Sequence, residues 1–310
     1  MDSAVSKKVT IFSYIIAFAI ILAMITTSVL LKDPEIILPE IAAMAIAMWV
    51  YREAGWIRQP SKIFLAPSFT AVIGFLVNQL HIALVGKVIL TLILMMLFLR
   101  IIRSNLGPSI ATGLLPVVTD ANEWSFIISV FVFTFILMLG VLVFGLNKGL
   151  EKKVNIQYKY KLVYLGIVFA WIGLCWSFGY ELIAIPPILV VVYESLQKPM
   201  YNGKMAFKQG LVLTISATVG TLLYFAIDSW VLVTLLDMIL MLILLQIVGI
   251  RVPAVYAFPL LPFVFPDDLV AMLPLGSLIT CVFMFASVLA YKKLEMKPKK
   301  FMLRSTAKRK

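Results

Sequence analysis

Long apolar runs separated by short polar stretches form the dominant pattern of this chain. Because a helix needs about 20 apolar residues to cross a bilayer, runs of this kind predict membrane-spanning helices. We predict ten helices, at residues 11–31, 36–50, 63–77, 82–102, 125–146, 162–178, 182–193, 210–227, 230–250 and 269–291. Two of them, 36–50 and 182–193, are short for a full crossing, so we expect them to be broken, tilted or extended past Pro39 and Pro186.

The first apolar run is expected to remain in the protein as a helix. It follows Lys7 and Lys8, and no small-x-small cleavage pattern comes after it. Its 21 residues also exceed the length of a signal-peptide core. We therefore count it as the first crossing.

Charged residues alternate in sign from one connection to the next. Lysine and arginine gather at 7–8, 52–62, 100–103, 148–161, 198–208, 251 and 292–310. The other connections carry the acidic residues Asp33, Glu35, Asp120, Glu123, Glu181, Asp228, Asp267 and Asp268. Since basic loops stay in the cytoplasm, this alternation predicts a protein of the cell membrane, bacterial by expectation, with both termini cytoplasmic.

Two short segments rich in glycine and proline must also cross if this topology holds. The helix that ends at 100–103 finishes inside, yet the helix that starts at Ser125 begins outside, so 105–119 has to connect the two sides. The same argument applies to 252–266. As helices, 13 or 14 residues reach only about 20 Å of the roughly 30 Å hydrocarbon core, so these segments are expected to be partly extended. The alternative is a re-entrant turn that only packs helices.

The two segments correspond to each other at an offset of 145 to 147 residues. Pro108 is matched by Pro253, Leu114-Leu115-Pro116 by Leu260-Leu261-Pro262, and Asp120 by Asp267. Each half then has about five helices plus one broken segment, an even number of crossings, which predicts two parallel repeats. The expected organisation is a first transmembrane repeat at 1–147, a basic linker at 148–161, a second repeat at 162–291 and a basic tail at 292–310.

Interrupted segments at matching positions of two repeats are typical of transporter sites. Their unpaired backbone is tolerated at membrane depth only beside protein or a water-filled cavity. The candidate substrate pathway comprises Gly107, Pro108, Ser109, Thr112, Gly113, Pro116, Pro253, Tyr256, Pro259 and Pro262.

Three charged residues within the apolar runs are further candidates, because a charge inside the membrane is costly and faces a cavity or a partner. Asp237 is the deepest, and it either titrates for proton coupling or is a protonated packing residue. Lys87 and Glu40 lie at similar depths and are expected to neutralise each other as a structural pair. Alternatively, Lys87 extends to the interface or attracts an anion. The single histidine, His81, falls in a short outer loop.

Composition agrees with an all-α polytopic membrane protein. The 310 residues are 62% hydrophobic and 14% charged, and the mean hydropathy is +1.04. The net charge of +12 lies in short loops and in the tail, so it gives no reason to expect a nucleic-acid partner. Cys175 and Cys281 form neither a disulfide framework nor a metal-ligand spacing. We expect no enzymatic activity, no metal and no cofactor.

Several motifs resemble the HPP family of integral membrane proteins. They are Gln59-Pro60, Ala71-Val72-Ile73-Gly74, the stretch from Gly107 to Pro116, and Trp124-Ser125-Phe126. The likeness covers about residues 36–146 and, more faintly, 182–291. At the position of the family's His-Pro-Pro motif the chain has Leu106-Gly107-Pro108 and Arg251-Val252-Pro253. Some members are associated with nitrite transport, so the resemblance implies a transporter of small inorganic anions.

The sequence therefore predicts a transporter or channel for a small, nitrite-like anion. The expected partners are the bilayer, anionic inner-leaflet lipids near the tail, and the solute. The alternative is a non-transporting helical scaffold, or a subunit of a membrane assembly or lipid-related enzyme. A transporter requires the glycine- and proline-rich segments to face a polar cavity, whereas a scaffold buries them dry.

Overall fold

The fold is entirely helical in the part that the structure, a computed structural model, describes: residues 2–151, 157–179 and 184–307. Glu181 and part of the predicted basic linker lie outside these residues, and so do the side chains from 296 onward in the tail. Eight helices are long and apolar enough to cross a membrane. These are α1 (Asp2–Leu31), α4 (Pro60–Asn78), α5 (Leu84–Ile101), α7 (Trp124–Val143), α8 (Tyr158–Phe178), α10 (Gly203–Ala226), α11 (Trp230–Val248) and α13 (Leu273–Ala307). The chain is thus an all-α integral membrane protein, as predicted.

Short helices fill the remaining apolar stretches. They are α2 (Pro39–Ala45), which continues as a π-helical turn over Ile46–Val50, α3 (Ala54–Ile57), α6 (Pro108–Val118), α9 (Pro186–Gln197), two 3₁₀ helices in the second half (Pro253–Tyr256 and Phe258–Phe263) and α12 (Asp267–Val270). A further 3₁₀ turn, Pro34–Ile36, precedes α2. Proline occupies the first position of α2, α6, α9 and the first 3₁₀ helix. Proline suits this position because its missing N–H would have no partner in the first turn.

The number of long helices per half differs from the prediction. Each half contains four long helices and two short segments, rather than about five helices and one broken segment. The runs 36–50 and 182–193 are the short ones, because their helices begin only at Pro39 and Pro186. In the first of them a positive φ at Arg52 also follows the π turn.

The segment 103–120 runs from one end of the helical bundle to the other beside α4. Near the start of α4, Lys62 Nζ donates to the carbonyl of Arg103. At its end, Asn78 Nδ2 donates to Asp120 Oδ1 at 3.0 Å. Lys62 and Asn78 are 16 residues apart, which is about 24 Å along a helix. The segment therefore travels parallel to α4 over most of a bilayer's apolar thickness.

The corresponding segment of the second half has the same course beside α10. Lys208 Nζ donates to the carbonyl of Val248 at 2.6 Å near the start of α10. Tyr224 Oη donates to Asp267 Oδ1 at 3.4 Å near its end. We call the end that contains Lys62 and Lys208 the basic end, and the end that contains Asp120 and Asp267 the acidic end. Both interrupted segments lead from the basic end to the acidic end.

At the acidic end of the first half, Glu35 links the connection before α2 to the start of α7. Its two carboxylate oxygens accept hydrogen bonds, each 2.8 Å long, from the backbone N–H groups of Asn122 and Glu123. These groups lie at the start of α7, where the helix dipole favours a negative charge. Partial burial nevertheless raises the pKa of Glu35 above its usual value, and the two hydrogen bonds oppose this shift.

The first helices of each half pack against helices of the other half. From the first half, α1 packs against α11, and α2 packs against the first 3₁₀ helix. From the second half, α8 packs against α5, and α9 packs against α6. The four short segments therefore meet in the middle of the molecule, between the halves.

This course can be checked by labelling in intact cells. We expect Asn122→Cys and Asp268→Cys, both exposed at the acidic end, to react with a membrane-impermeant maleimide from one side of the membrane. Lys204→Cys, exposed at the basic end, should react only after permeabilisation. The two native cysteines are buried and should add little background. Labelling of Asn122→Cys and Lys204→Cys from the same side would contradict this course.

Candidate functional site

A small cavity lies where the four short segments meet. Its volume of about 10 Å³ is at the lower limit for one water molecule. It is lined by Glu40, Ala43, Trp56, Pro108, Ala111, Pro187, Val190, Glu194, Pro253, Ala254 and Ala257. We call it the central cavity. Apart from Trp56 and the two acids, its lining consists of alanine, proline and valine, so the helices approach one another closely there.

Helix N-termini converge on the central cavity. Pro108 is the first residue of α6, Pro187 the second of α9, and Glu40 the second of α2. The free N–H groups and the positive end of the helix dipole at these positions favour negative charge. This arrangement follows from the proline that begins each helix inside the apolar run.

Glu40 is a buried acid without a basic partner. Only 4% of its surface is exposed, and its Oε1 atom has no hydrogen-bond partner. The hydroxyl of Thr112 in α6 is a polar neighbour of the carboxyl group. Because an isolated buried carboxylate is very costly, burial favours the protonated form of Glu40 in this conformation.

Glu194, in α9, is the second acid that lines the cavity. The indole N–H of Trp56 donates to its Oε1 atom at 2.8 Å. Gly107 packs against it, since a Cβ at Gly107 would lie 3.4 Å from the same oxygen. Unlike Glu40, Glu194 is partly exposed. It also lies about one turn from the end of α9, where Gln197 accepts a hydrogen bond from Asn105 at the basic end.

The lining of the central cavity thus combines two carboxyl groups with helix N-termini. No lysine or arginine is among the lining residues within the described part of the chain. Such a site favours a proton or a cation when the acids are ionised. It favours an anion only when both acids are neutral, because two carboxylates would repel it.

A wider vestibule opens at the acidic end between the halves. Its volume is about 580 Å³, and its lining includes Asn78, Lys87, Asp120, Trp176 and Phe265. Lys87 Nζ donates to the carbonyl oxygen of Asn78 at 2.6 Å and to its Oδ1 atom at 3.1 Å. The predicted pair of Lys87 with Glu40 is therefore wrong, because Lys87 is bound at the acidic end and Glu40 faces the centre.

The predicted pathway residues fall into two groups. Pro108 and Pro253 line the central cavity, and Gly107 and Thr112 contact its two acids. The others are not among the residues that line the cavity. They are Gly113 and Pro116, which pack against Gly74; Pro259, which packs against Gly220; Ser109, whose buried hydroxyl has no partner; Tyr256, whose ring packs on Phe18; and Pro262, which is buried in the second 3₁₀ helix.

Asp237 lies apart from the residues that line the central cavity. It is 0% exposed in α11, and neither carboxylate oxygen has a hydrogen-bond partner. The hydroxyl of Thr234, one turn earlier, is also without a partner. Both alternatives for Asp237, proton coupling and protonated packing, would leave this group neutral at rest. His81 is exposed in its loop at the acidic end, as expected.

Sequence reasoning missed Glu194 and Trp56. Glu194 comes directly after the apolar run 182–193, so it was assigned to the connection, although α9 continues to Gln197. Trp56 belongs to the short helix α3, which no apolar run predicts. The signal that could have revealed Glu194 is its position one residue beyond a run that was already too short to cross.

Comparison of the chain with protein-family models, curated proteins and solved structures found no match. The resemblance to the HPP family therefore rests on the motifs quoted above. Among the described residues, no cluster of three or more histidine, cysteine or acidic side chains could hold a metal ion.

Proposed function

We propose that this integral membrane protein transports a small inorganic anion, nitrite-like in size and charge, together with protons. The observation that carries the proposal is the central cavity, where helix N-termini meet Glu40 and Glu194 and no described lining residue is basic. Glu40 and Glu194 are the proton carriers, and the solute passes between the two halves. The protein acts as a transporter and not as an enzyme.

The helix N-termini and the two acids of the central cavity explain how movement of the anion is coupled to movement of protons. Helix N-termini attract an anion, but an ionised carboxylate beside them repels it. An anion therefore enters when the acids hold protons, and its negative charge in turn strengthens their hold on those protons. When the site opens to the other side, the anion and at least one proton leave together. The net charge moved is then close to zero.

The arrangement of the two halves supports a path between parallel repeats. Several contacts recur at an offset of 146 residues: Lys62 and Lys208 each bind a carbonyl at the basic end, and Gly74 and Gly220 each pack against an interrupted segment. Both halves have long helices and short segments in the same order. Parallel repeats related by an axis along the membrane normal place a substrate site on that axis.

The central cavity is closed in this conformation. A volume of about 10 Å³ excludes any polyatomic anion, so transport requires the halves to move apart. The vestibule beside Lys87 supplies access from the acidic end. A network of Asn105, Gln197 and Tyr193 lies between the centre and the basic end, and it is the barrier that must open on that side.

The small volume of the cavity also favours the second candidate, a non-transporting scaffold that buries these segments dry. The two acids argue against it. Burying Glu40 without a partner costs stability, and a scaffold gains nothing from that cost. From the positive-inside pattern we also propose that both termini are cytoplasmic and that the basic tail lies beside anionic lipids.

Uptake by proteoliposomes tests the proposal. Nitrite, nitrate, formate and chloride are supplied in turn, with an inward proton gradient, to vesicles that contain the wild-type protein. We expect accumulation of one anion, and its loss in a Gly107→Leu, Pro108→Leu variant, because the larger side chains fill the space beside Glu194. Gly166→Leu is the matched control, since a side chain at Gly166 meets open space. Failure of all four anions to accumulate would favour the scaffold.

A further inference from the structure

Cations from three helices gather where α5 ends at the basic end. Lys161 Nζ, in the first turn of α8, donates to the carbonyl of Ser104 at 3.0 Å. Lys62 Nζ, in α4, donates to the carbonyl of the preceding residue, Arg103. Because these carbonyls belong to consecutive residues, the two ammonium groups are held side by side. Arg100, in the last turn of α5, adds a third positive charge.

The charge of Lys161 is not neutralised by the protein. The residue is only 6% exposed, and Lys62 and Arg100 are the charged groups that act on it. The ion pairs in the described part of the chain are made by Glu295 with Lys159, at 3.2 Å, and with Lys292, at 3.8 Å. A single neutral carbonyl does not offset the burial of an ammonium group beside two other cations.

Capping of a helix end does not account for Lys161. Cations near a helix C-terminus are favourable because the last carbonyls have no partners. At the matching place in the second half, however, Lys208 alone binds the carbonyl of Val248. One lysine is thus sufficient for this role. Lys161 adds a second positive charge to the first half, and a bound anion would stabilise that charge.

The surroundings indicate which anion fits. The guanidinium of Arg100 lies 5.1 Å from the ring centre of Tyr158, so it is held at the groove between α5 and α8. Ile101 and Leu162 are exposed beside it, 78% and 72%, as expected of side chains that face lipid tails. Basic groups between transmembrane helices at this level bind lipid headgroups.

We propose that Lys62, Arg100 and Lys161 form a binding site for a phosphate group. The three cations supply charge and N–H donors to its oxygens. The phosphate belongs either to an anionic lipid, whose chains would lie along Ile101 and Leu162, or to free inorganic phosphate. The apolar groove favours the lipid. The site is independent of the central cavity and of what passes through it.

Thermal unfolding of the detergent-solubilised protein tests the site. Melting temperature is titrated with dioctanoyl phosphatidylglycerol, dioctanoyl phosphatidylcholine or inorganic phosphate. We expect phosphatidylglycerol to raise the melting temperature of the wild type more than phosphatidylcholine does, with an apparent Kd about fivefold weaker in Lys161→Gln and in Arg100→Gln. Lys208→Gln is the matched control and should keep the wild-type Kd. Arg100 is exposed, so its variant decides the test if Lys161→Gln fails to fold.

Comparison of the shifts caused by phosphatidylglycerol and by inorganic phosphate shows whether the bound phosphate belongs to a lipid or is a free anion. A shift with inorganic phosphate that equals the shift with phosphatidylglycerol would identify a free anion as the ligand. A shift with phosphatidylglycerol alone would identify a lipid. The proposal is overturned if neither anion shifts the wild type, or if both Lys161→Gln and Arg100→Gln bind phosphatidylglycerol as tightly as the wild type does.

Discussion

Glu194→Gln is expected to lower proton-driven accumulation of the transported anion by more than about tenfold. Glutamine has nearly the same shape as glutamate and can still accept the hydrogen bond from Trp56. It cannot gain or lose a proton at physiological pH. The variant should therefore fold and insert normally but lose its response to a pH gradient, while exchange of the anion across the membrane without a gradient persists.

Glu40→Gln should have the same effect on accumulation, for a related reason. Glu40 is buried and lacks a basic partner, so the neutral amide replaces a group that is already neutral at rest. Initial binding of the anion is then preserved and only the release of a proton is lost. Glu123→Gln, at an exposed position of the acidic end, is the control and should transport like the wild type. Accumulation at wild-type levels in both cavity variants would rule out their role as proton carriers.

Gly74→Ala is expected to cause the largest loss of stability among single substitutions at glycine. A Cβ at Gly74 would overlap the backbone carbonyl of Gly113 in α6, and backbone atoms in a packed helix pair cannot move aside easily. Overpacking of this kind costs about 1–3 kcal/mol or more. For a chain of this size we expect the melting temperature to fall by roughly 2–5 °C.

Matched glycines in other helices provide the comparison. Gly220→Ala should also destabilise the protein, because its Cβ would overlap Pro259 of the second interrupted segment. Gly166→Ala in α8 meets open space, and alanine favours a helix by about 1 kcal/mol over glycine, so its melting temperature should stay the same or rise. If Gly74→Ala melts at the same temperature as Gly166→Ala, α4 and α6 are not in close contact at Gly74 and Gly113.

The sequence predicted the long apolar helices better than it predicted the site. Apolar length and alternating loop charge are properties of the chain itself, and they were sufficient to require a crossing at 105–119. They do not fix the depth at which a helix begins. Lys87 lies one turn inside α5, near the acidic end, whereas Glu40 follows Pro39 at the centre. Similar distances from the ends of two apolar runs therefore correspond to different depths.

Helical periodicity explains why only some pathway residues reach the central cavity. Pro108 and Ala111 share the face of α6 that lines the cavity, while Gly113 and Pro116 share the face that packs against α4. Spacing along the helix separates these two faces. Which face points to the centre depends on the partner helix, and the sequence alone does not show that partner.

Simultaneous recording of anion uptake and internal pH in proteoliposomes tests the central claim most directly. With the anion that accumulates, the wild type and Glu123→Gln should acidify the interior as the anion enters, at a rate above that of protein-free vesicles, into which the neutral acid diffuses unaided. Glu40→Gln and Glu194→Gln should not acidify it beyond that background. Uptake of the anion by the wild type without additional acidification would contradict proton-coupled transport through the two acids of the central cavity.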